Sequence, residues 1–250
     1  MELKDKTAIV VGASSGIGAA VARELVRNGW SVALVARRLD ELQKLVAHFN
    51  ERAGAEVTFA IAHDVTDFAS VPGVFDRAAG HLGGLAMLVY ASGVMPEVGP
   101  EEYDFAKDRQ MVEVNLLGMM AWCNEAAQFF SRLQSGVIVG IGSVAGDRGR
   151  KGQPGYNASK GAQAIFLEAL RNRLDSNGVR VVTVKPGPVD TPMTRGLGRM
   201  PFMISADQAA RTIVRAAAKS RTTVYVPARW GLIMHVIRHI PSFIFRRLDI

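Results

Sequence analysis

The sequence predicts one doubly wound α/β domain, in which helices cover both faces of a parallel sheet. Short apolar runs alternate with stretches of helical spacing, and 250 residues that are 48% hydrophobic can fill one large core. Apolar runs of this length are typical of strands buried on both faces, and right-handed crossovers then place helices on each side of the sheet. The predicted strands are residues 7–12, 31–36, 57–62, 86–90, 137–141, 179–184 and 223–226.

Amphipathic stretches separate most of these strands and predict the helices of the same domain. Residues 17–28 and 39–50 repeat apolar side chains on one helical face, and longer helices are predicted at about 109–133 and 154–177. No internal repeat, low-complexity segment or linker divides the chain. We therefore predict a single Rossmann-type domain of about seven parallel strands, with residues 1–229 followed by a tail, 230–250, of the same domain.

A glycine-rich turn joins the first predicted strand to the first helix. Glycines let the backbone turn tightly and approach a pyrophosphate, and the helix N-terminus offers free N–H groups and the positive end of its dipole. The spacing is G-x-x-x-G-x-G rather than the more familiar G-x-G-x-x-G, and the alternative is an ordinary βα turn. The residues predicted to contact a dinucleotide here are Gly12, Ser14, Ser15, Gly16, Ile17 and Gly18.

The residues about 20 positions beyond the turn predict which dinucleotide binds. An acidic residue at that place accepts from the ribose of NAD, whereas Arg37 and Arg38 stand there in this chain. A guanidinium forms bidentate, charge-assisted bonds with a phosphate and therefore suits the 2′-phosphate of NADP. We predict NADP as the cofactor, the alternative being a pair of solvated surface arginines.

Tyr156 and Lys160 are four residues apart at the start of a predicted helix and therefore share one helical face. A neighbouring ammonium favours the phenolate of tyrosine, whose reference pKa is ~10, so Tyr156 could exchange a proton with a carbonyl or an alcohol. Ser143 ends the fifth strand, at the edge where parallel sheets bind ligands, and could hold the substrate oxygen. The alternatives are an ordinary helical pair and a serine that caps a turn.

These motifs, with Asn115 and the pair Pro186-Gly187, occur in the order and spacing of the short-chain dehydrogenase/reductase family, which the chain resembles from about residue 6 to 226. The resemblance implies hydride transfer with a nicotinamide cofactor and Tyr156 as the acid–base residue. It implies that Asn115 kinks its helix and holds a water beside Lys160 in a proton relay. Further cofactor contacts are implied for Asp64, Val65, Ala91, Gly93, Pro186, Gly187, Val189 and Thr191, and for Tyr156 and Lys160 themselves.

Two places depart from the usual pattern of that family. Val11 stands where threonine is usual before the first glycine, and Tyr90-Ala91-Ser92-Gly93 replaces the usual Asn-Asn-Ala-Gly. Both places lose polar side chains. We therefore expect an apolar contact between Val11 and Ala91 where relatives have a hydrogen bond.

The catalytic group predicts an NADP-dependent enzyme that interconverts a carbonyl and a secondary alcohol, with no metal ligand. The alternatives are a non-catalytic NADP-binding regulatory protein and an epimerase or dehydratase on the same scaffold. The substrate loop, residues 192–205, carries apolar side chains that favour an apolar or lipid-like substrate, and arginines that could meet an anionic group. The residues concerned are Met193, Leu197, Met200, Phe202 and Met203, with Arg195 and Arg199.

Composition bears on partners and compartment. The formal net charge is +7, but no nucleic-acid-binding motif accompanies it, so we predict no nucleic acid partner. Cys123 is the single cysteine, and neither a secretory signal nor a membrane-spanning run is found, which together predict a cytoplasmic protein. We expect a homodimer or homotetramer through the two long helices. The residues offered for that interface are Phe129, Phe130, Phe166 and Leu170.

The C-terminal tail is both basic and apolar. Residues 221–250 contain five arginines and one acidic residue, and apolar side chains recur at helical spacing up to Pro241, which ends or bends the helix. Such a segment can pack over the substrate loop or a neighbouring subunit, with its arginines solvated. It can also lie in a membrane interface. We expect the packed arrangement, with peripheral membrane contact through residues 230–250 as the alternative.

Overall fold

Each strand of the central sheet forms from one of the apolar runs of the sequence. A computed structural model describes residues 6–196, 198, 200–219 and 221–248. Within them, nearly all residues of the first two strands and of the fourth and fifth are buried, as expected for strands covered on both faces. The strands are β1 Thr7–Val11, β2 Ser31–Ala36, β3 Thr58–Ala62, β4 Met87–Tyr90, β5 Gly136–Ile141, β6 Val179–Pro186, β7 Val189–Asp190, β8 Ile204–Ser205 and β9 Thr223–Val226.

Seven of these strands form one parallel sheet in the order β3-β2-β1-β4-β5-β6-β9. The chain first adds strands on one side of β1 and then continues from β4 on the other side, so the direction of growth reverses between β1 and β4. Ligands of open parallel sheets bind at such a reversal, outside the carboxyl ends of the strands. The predicted fold class and the number of strands are therefore confirmed, and the fold places a site at this edge.

Two layers of helices cover the sheet. Successive side chains of a strand point to opposite faces, so Ile9 and Val11 belong to one buried cluster while Ala8 and Val10 belong to the other. Helices α3, α5 and α6 pack on the first face, and α1, α2 and α7 on the second. The helices are α1 Gly16–Arg27, α2 Leu39–Ala53, α3 Val71–His81, α4 Phe105–Met111, α5 Gly118–Leu133, α6 Pro154–Leu174, α7 Ala206–Ala218, α8 Arg229–His239 and α9 Ser242–Phe245.

The helix predicted at 109–133 differs from the structure in one informative respect. It begins earlier, at Phe105, and a π-helical turn at Val112–Leu117 separates α4 from α5. The substrate loop also ends in a strand that the sequence did not predict, β8, which pairs with β7 just before the loop in a small parallel sheet. Within the described part of the chain, no helix has the length and apolar character needed to cross a membrane.

Two of the residues offered for an oligomer interface are in fact core residues. Phe130 is fully buried and Leu170 is 6% exposed, because the sheet and its helices cover them. Phe129 and Phe166 are partly buried against the same cluster. The large hydrophobic side chain that α6 exposes is instead Ile165, which is 71% exposed.

Candidate active site

A cleft of about 560 Å³ lies at the carboxyl ends of the strands, beside the reversal between β1 and β4. It brings together nearly all of the predicted site residues. Gly18 and Asn115 do not line it. The predicted residues that do line it are Gly12, Ser14, Ser15, Gly16, Ile17, Arg37, Arg38, Asp64, Val65, Ala91, Gly93, Ser143, Tyr156, Lys160, Pro186, Gly187, Val189 and Thr191.

The glycine-rich turn brings backbone close to the cleft. Gly12 has a φ of +85°, which favours glycine, and a Cβ there would lie 2.5 Å from the backbone nitrogen of Ser92. Gly18 packs behind the cleft, where a Cβ would overlap the carbonyl of Gly12. Helix α1 begins at Gly16 with no side-chain cap and no acidic residue in its first turn. Its N-terminal N–H groups can therefore bind an anion, as a pyrophosphate-binding turn requires.

Arg37 and Arg38 take different partners. Arg38 reaches back over the glycine-rich turn and donates to the hydroxyl oxygens of Ser14 and Ser15, at 2.9 and 3.1 Å. Arg37 lies 3.7 Å from the carboxylate of Asp64, and its side chain is largely exposed whereas that of Asp64 is partly buried. A cation and two hydroxyl groups beside a glycine-rich turn form a suitable donor set for a phosphate on the ribose, so these residues fit NADP.

Ser143, Tyr156 and Lys160 converge at the other end of the cleft. Ser143 follows β5, and its hydroxyl accepts from the backbone N–H of Ala145 at 3.0 Å. The hydroxyl groups of Ser143 and Tyr156 are hydrogen-bonded to each other. Lys160 donates to the carbonyl of Ile141 at 3.2 Å, and its Nζ lies 5.6 Å from the centre of the Tyr156 ring. The i, i+4 spacing in α6 thus places both side chains at the cleft, although both are mostly buried.

The electrostatics of this group differ from the sequence-based expectation. Burial raises the pKa of Tyr156 above its ordinary value, while the hydrogen bond from Ser143 and the charge of Arg150 lower it. Burial also lowers the pKa of Lys160 to about 7. The expected stabilisation of the phenolate by the Lys160 ammonium is therefore not found, because the same burial that brings lysine close disfavours its charge.

Asn115 lies inside the π-helical turn and is fully buried, so it contacts the cleft only through its neighbours. Its amide oxygen accepts from the N–H of Val94 at 2.7 Å, and its amide nitrogen donates to the carbonyl of Val94 and the hydroxyl of Ser159, both at 3.1 Å. Val94 lines the cleft and Ser159 precedes Lys160. Asn115 therefore joins the π-helical turn to both walls of the catalytic end. Its part in a water relay stays a prediction.

Two residues that the sequence reading missed act on the same turn. Gln163 is fully buried and donates its amide to the backbone carbonyl of Asn115. Tyr90 donates its hydroxyl to the carbonyl of Val114 at 2.6 Å. A π-helical turn displaces carbonyls from the regular α-helical hydrogen-bond pattern, and these two side chains satisfy them. One signal was visible in the sequence, since Gln163 stands four residues before Leu167 and thus on the apolar stripe of its helix.

The structure at Val11 and Tyr90 differs from the side-chain contact that the sequence predicted. Val11 packs in one buried cluster and Ala91 against the other, so their side chains lie on opposite faces of the sheet. What joins them is the backbone bond from the N–H of Ala91 to the carbonyl of Val11, at 2.8 Å. The expected apolar contact between Val11 and Ala91 is therefore wrong. The hydroxyl of Tyr90 is a polar group that forms a hydrogen bond, to the carbonyl of Val114.

The substrate end of the cleft is apolar. Met193 lines it from the substrate loop, and Val94, Met95 and Pro96 line it from the segment after β4. Arg195 is exposed. Leu197 and Arg199 lie outside the described residues, so the predictions made for them are not tested.

The first helix of the tail begins beside this end. The indole of Trp230 lies against Gly187, where it fills the space that a Cβ would need. The ring of Trp230 also meets the ring of Phe202 edge-on, with 6.2 Å between centres. The tail therefore packs on the substrate loop, which is the arrangement preferred from the sequence.

Known proteins share sequence with this chain over most of its length. The family model described as short chain dehydrogenase matches residues 6–201. The chain is 34% identical over 218 residues to a cis-4-hydroxycyclohexanecarboxylate dehydrogenase from Sinomonas cyclohexanicum, covering 86% of this chain and 84% of that protein. It is 35% identical to a 3-oxoacyl-[acyl-carrier-protein] reductase from Homo sapiens, covering 77% and 79%.

Solved structures share the fold. A short-chain dehydrogenase from Sphingobium yanoikuyae in complex with NADPH superposes with a TM-score of 0.81 at 24% identity, covering 94% of this chain and 96% of that one. A variant of actinorhodin polyketide ketoreductase with NADPH gives the same score and identity, covering 92% and 98%. The matched family model and the curated relatives together identify the chain as a member of the short-chain dehydrogenase/reductase family.

Proposed function

We propose that the protein is an NADP-dependent oxidoreductase that interconverts a carbonyl and a secondary alcohol, with Tyr156 as the acid–base residue. The observation that carries the proposal is the convergence of Ser143, Tyr156 and Lys160 in the cleft whose other end holds the glycine-rich turn. A regulatory protein that only binds NADP would have no use for that polar group. An epimerase or dehydratase remains the second possibility on the same scaffold, and net consumption of NADPH separates it from an oxidoreductase.

The preference for NADP is supported by Arg38 and its serine partners. Arg38 is held beside the glycine-rich turn by Ser14 and Ser15, so its charge is available where a ribose phosphate would lie. The free N-terminus of α1 would hold the pyrophosphate. Bound NADPH would supply the hydride in the reductive direction. Asp64 and Val65 would contact adenine, and the residues that follow β6, Pro186 and Gly187, would hold the nicotinamide end.

The catalytic residues can divide the proton chemistry in the following way. The hydroxyl groups of Ser143 and Tyr156 are already paired, so a carbonyl oxygen placed between them would accept from both. Because burial raises the pKa of Tyr156, the phenol stays protonated at neutral pH and can give its proton to the nascent alkoxide. The oxidative direction needs the phenolate, and so it should become faster as pH rises. Lys160 can hold the ribose of the cofactor through hydrogen bonds.

The substrate is proposed to be an apolar or lipid-like carbonyl or alcohol. Met193, Met95 and Val94 give the substrate end an apolar lining. The names of the two curated relatives describe a hydroxylated cyclohexane carboxylate and 3-oxoacyl groups, and both are compounds in which a carbonyl or a secondary alcohol is attached to an apolar body.

An NADPH-oxidation screen tests the proposed function. Cyclic ketones, long-chain ketones and 3-oxoacyl thioesters are offered with NADPH, and consumption of the cofactor is compared with the amount of alcohol formed. We expect one alcohol for each NADPH oxidised, with turnover increasing with the apolar length of the ketone. Conversion of a substrate without net NADPH consumption would contradict the proposal, and so would binding of NADPH without turnover of any of these carbonyls.

We also propose that the protein is a cytoplasmic homodimer or homotetramer, in which residues 1–229 form the catalytic domain. A single buried cysteine suits a reducing compartment. Ile165 on α6 is the large apolar residue whose exposure supports an interface through this helix. Light scattering at micromolar concentration should show a dimer or tetramer, and Ile165→Glu should convert it to monomer. A monomeric parent protein would contradict the prediction.

A further inference from the structure

Helix α8 is apolar on two sides, which a helix that only packs on its own protein does not need. Its inner side carries Met234, which is 4% exposed, together with the half-buried Ile233 and Ile237. Its outer side carries Leu232, which is 73% exposed, and Val236, which is 58% exposed. The inner side accounts for the attachment of the tail to the protein. The outer side leaves Leu232 and Val236 open to solvent, so it is available to a partner.

A side chain from the loop after β5 helps to hold the tail in this orientation. Arg148, which follows Ser143 in the chain, donates to the carbonyls of Ile237, Arg238 and Ile240 at 2.5 to 3.1 Å. Its guanidinium also lies 4.0 Å from the centre of the Phe245 ring. Arg148 thus contacts both the end of α8 and the end of α9, and it links the backbone of the first to the ring of Phe245 in the second.

Apolar exposure continues on both sides of Val236. Beyond Pro241, Phe243 is 61% exposed and Ile244 is 43% exposed. In the other direction, Phe202 of the substrate loop is 47% exposed and lies under the guanidinium of Arg229, the first residue of α8, at 4.8 Å. We use the name tail surface for Leu232, Val236, Phe243 and Ile244. Through Arg229 and Phe202 it borders the mouth of the substrate end.

The segment of the chain that carries the tail surface is basic. No aspartate or glutamate occurs between Gln208 and Leu248, whereas eight lysines and arginines do. Four of these belong to α8 or to the segment that follows it, namely Arg229, Arg238, Arg246 and Arg247. Exposed apolar side chains among arginines are complementary to an interface that is apolar inside and anionic at its surface.

We propose that the tail surface docks on an anionic lipid bilayer, with its apolar side chains among the acyl chains and its arginines at the phosphate headgroups. A second copy of this chain is the less suitable occupant, because a symmetric contact would bring the same four arginines of both copies together with one aspartate of each tail, Asp249, to offset them. The cytoplasmic leaflet is anionic and therefore suits such a surface.

Docking in this orientation would bring the mouth of the cleft to the bilayer. Phe202 and Met193 of the substrate loop are both partly exposed, and Met193 lines the cleft. A lipid-like carbonyl could then pass from the bilayer to the catalytic group along an apolar path. This last step rests on the proposed function, whereas attachment to the bilayer does not.

Flotation of the full-length protein with lipid vesicles tests the docking. The vesicles are phosphatidylcholine alone or phosphatidylcholine with phosphatidylserine, at low and at physiological salt. We expect partitioning onto the anionic vesicles to exceed that onto neutral ones by at least about tenfold, and to weaken as salt rises. Equal partitioning onto both vesicles, or no flotation of the full-length protein, would overturn the proposal.

Two variants show whether the tail surface is the part that binds. Leu232→Gln with Phe243→Ser removes two apolar groups that are exposed in the structure, and we expect it to lower partitioning at least about tenfold. Leu133→Gln is the matched control, because Leu133 is 55% exposed at the end of α5, and it should bind as the parent does. A double variant that floats like the parent would overturn the proposal. A double variant that changes the oligomeric state by light scattering would do so too, since a second copy would then be the occupant.

Turnover of a small, soluble ketone separates this proposal from the proposed function. The double variant should reduce that ketone at the parental rate, because neither residue lines the cleft. Vesicle binding without any NADPH-dependent turnover would contradict the proposed function alone. Turnover without vesicle binding would contradict the docking alone.

Discussion

The two ends of the cleft are built in different ways. At the glycine-rich turn, the recognition groups are backbone and exposed side chains, and the Arg37 side chain that pairs with Asp64 is 61% exposed. At the catalytic end, Lys160 is 4% exposed and Asn115 and Gln163 are not exposed at all. Charged groups in water interact weakly and largely independently, whereas buried polar groups depend on each other for every hydrogen bond. We therefore expect substitutions at the first end to change the choice of cofactor and those at the second to change chemistry or stability.

The largest effect should follow from Tyr156→Phe, at the buried end. Phenylalanine keeps the packing of a ring that is almost fully buried, and it removes only the hydroxyl that pairs with Ser143. We expect turnover to fall at least ~10²-fold, the low end for lost acid–base catalysis, with NADPH affinity nearly unchanged. Steady-state rates and a cofactor titration measure both. Turnover within a few-fold of the parent would remove Tyr156 from the mechanism.

Next in size should be the loss of cofactor preference in Arg38→Ala, at the exposed end. Arg38 is held over the glycine-rich turn, and a charge-assisted bond to a phosphate contributes ~1.5–3 kcal/mol, so NADPH affinity should fall on the order of tenfold or more while NADH affinity stays. Arg37→Ala should matter less, because Arg37 faces Asp64. Arg52→Ala, at the far end of α2, is the control for overall charge. Parental preference for NADPH over NADH in Arg38→Ala would refute this assignment.

The seven strands were predictable to within two residues at each end, because strands buried on both faces must be apolar throughout. The residues that line the cleft were predictable for a similar reason, since the fold brings the loops after β1, β4, β5 and β6 to one edge. The bond from Gln163 to Asn115 was not, because it joins two helices whose register depends on the π-helical turn. The pKa values of Tyr156 and Lys160 were not predictable either, since burial decides their direction.

The third effect concerns how the buried Lys160 changes stability with pH. The pKa of Lys160 is lowered to about 7 by burial, whereas an unfolded lysine titrates near ~10.4. Between these values the unfolded chain binds more protons than the folded one, so stability rises with pH across that window. Lys160→Met removes the cost of the buried charge. Without nucleotide, we expect its Tm at pH 7 to exceed that of the parent by at least about 3 °C, with a smaller difference at pH 10. If the Tm values of the two proteins differed by the same amount at pH 7 and pH 10, the lowered pKa of Lys160 would be contradicted.

The smallest effect should follow from Gln163→Leu, although this residue is as buried as its neighbours. The substitution removes the amide that donates to Asn115, and it also removes an amide oxygen that has no partner among the described residues. The two changes offset each other, so the free energy of unfolding should change by less than about 1 kcal/mol. Gln163→Glu should lower the free energy of unfolding several times more, because its carboxylate would place an acceptor against the buried carbonyl of Asn115. Urea unfolding measures both values, and an equal decrease in the free energy of unfolding for the two variants would contradict this account.

Arg148 has a practical consequence for handling the protein. Arg148 binds the carbonyls at the end of α8 and belongs to the loop that begins at Ser143. A displacement of the tail can therefore be transmitted to the catalytic loop. A fusion partner or affinity tag joined after Ile250 would therefore be attached close to a contact that supports the catalytic loop. A label at the amino terminus would be joined to the chain ahead of β1, which begins at Thr7. That strand leads to the glycine-rich turn and not to the catalytic loop. Immobilised or fluorescently labelled enzyme is therefore better attached through its amino terminus, and assays on carboxy-terminal fusions should be compared with the cleaved protein.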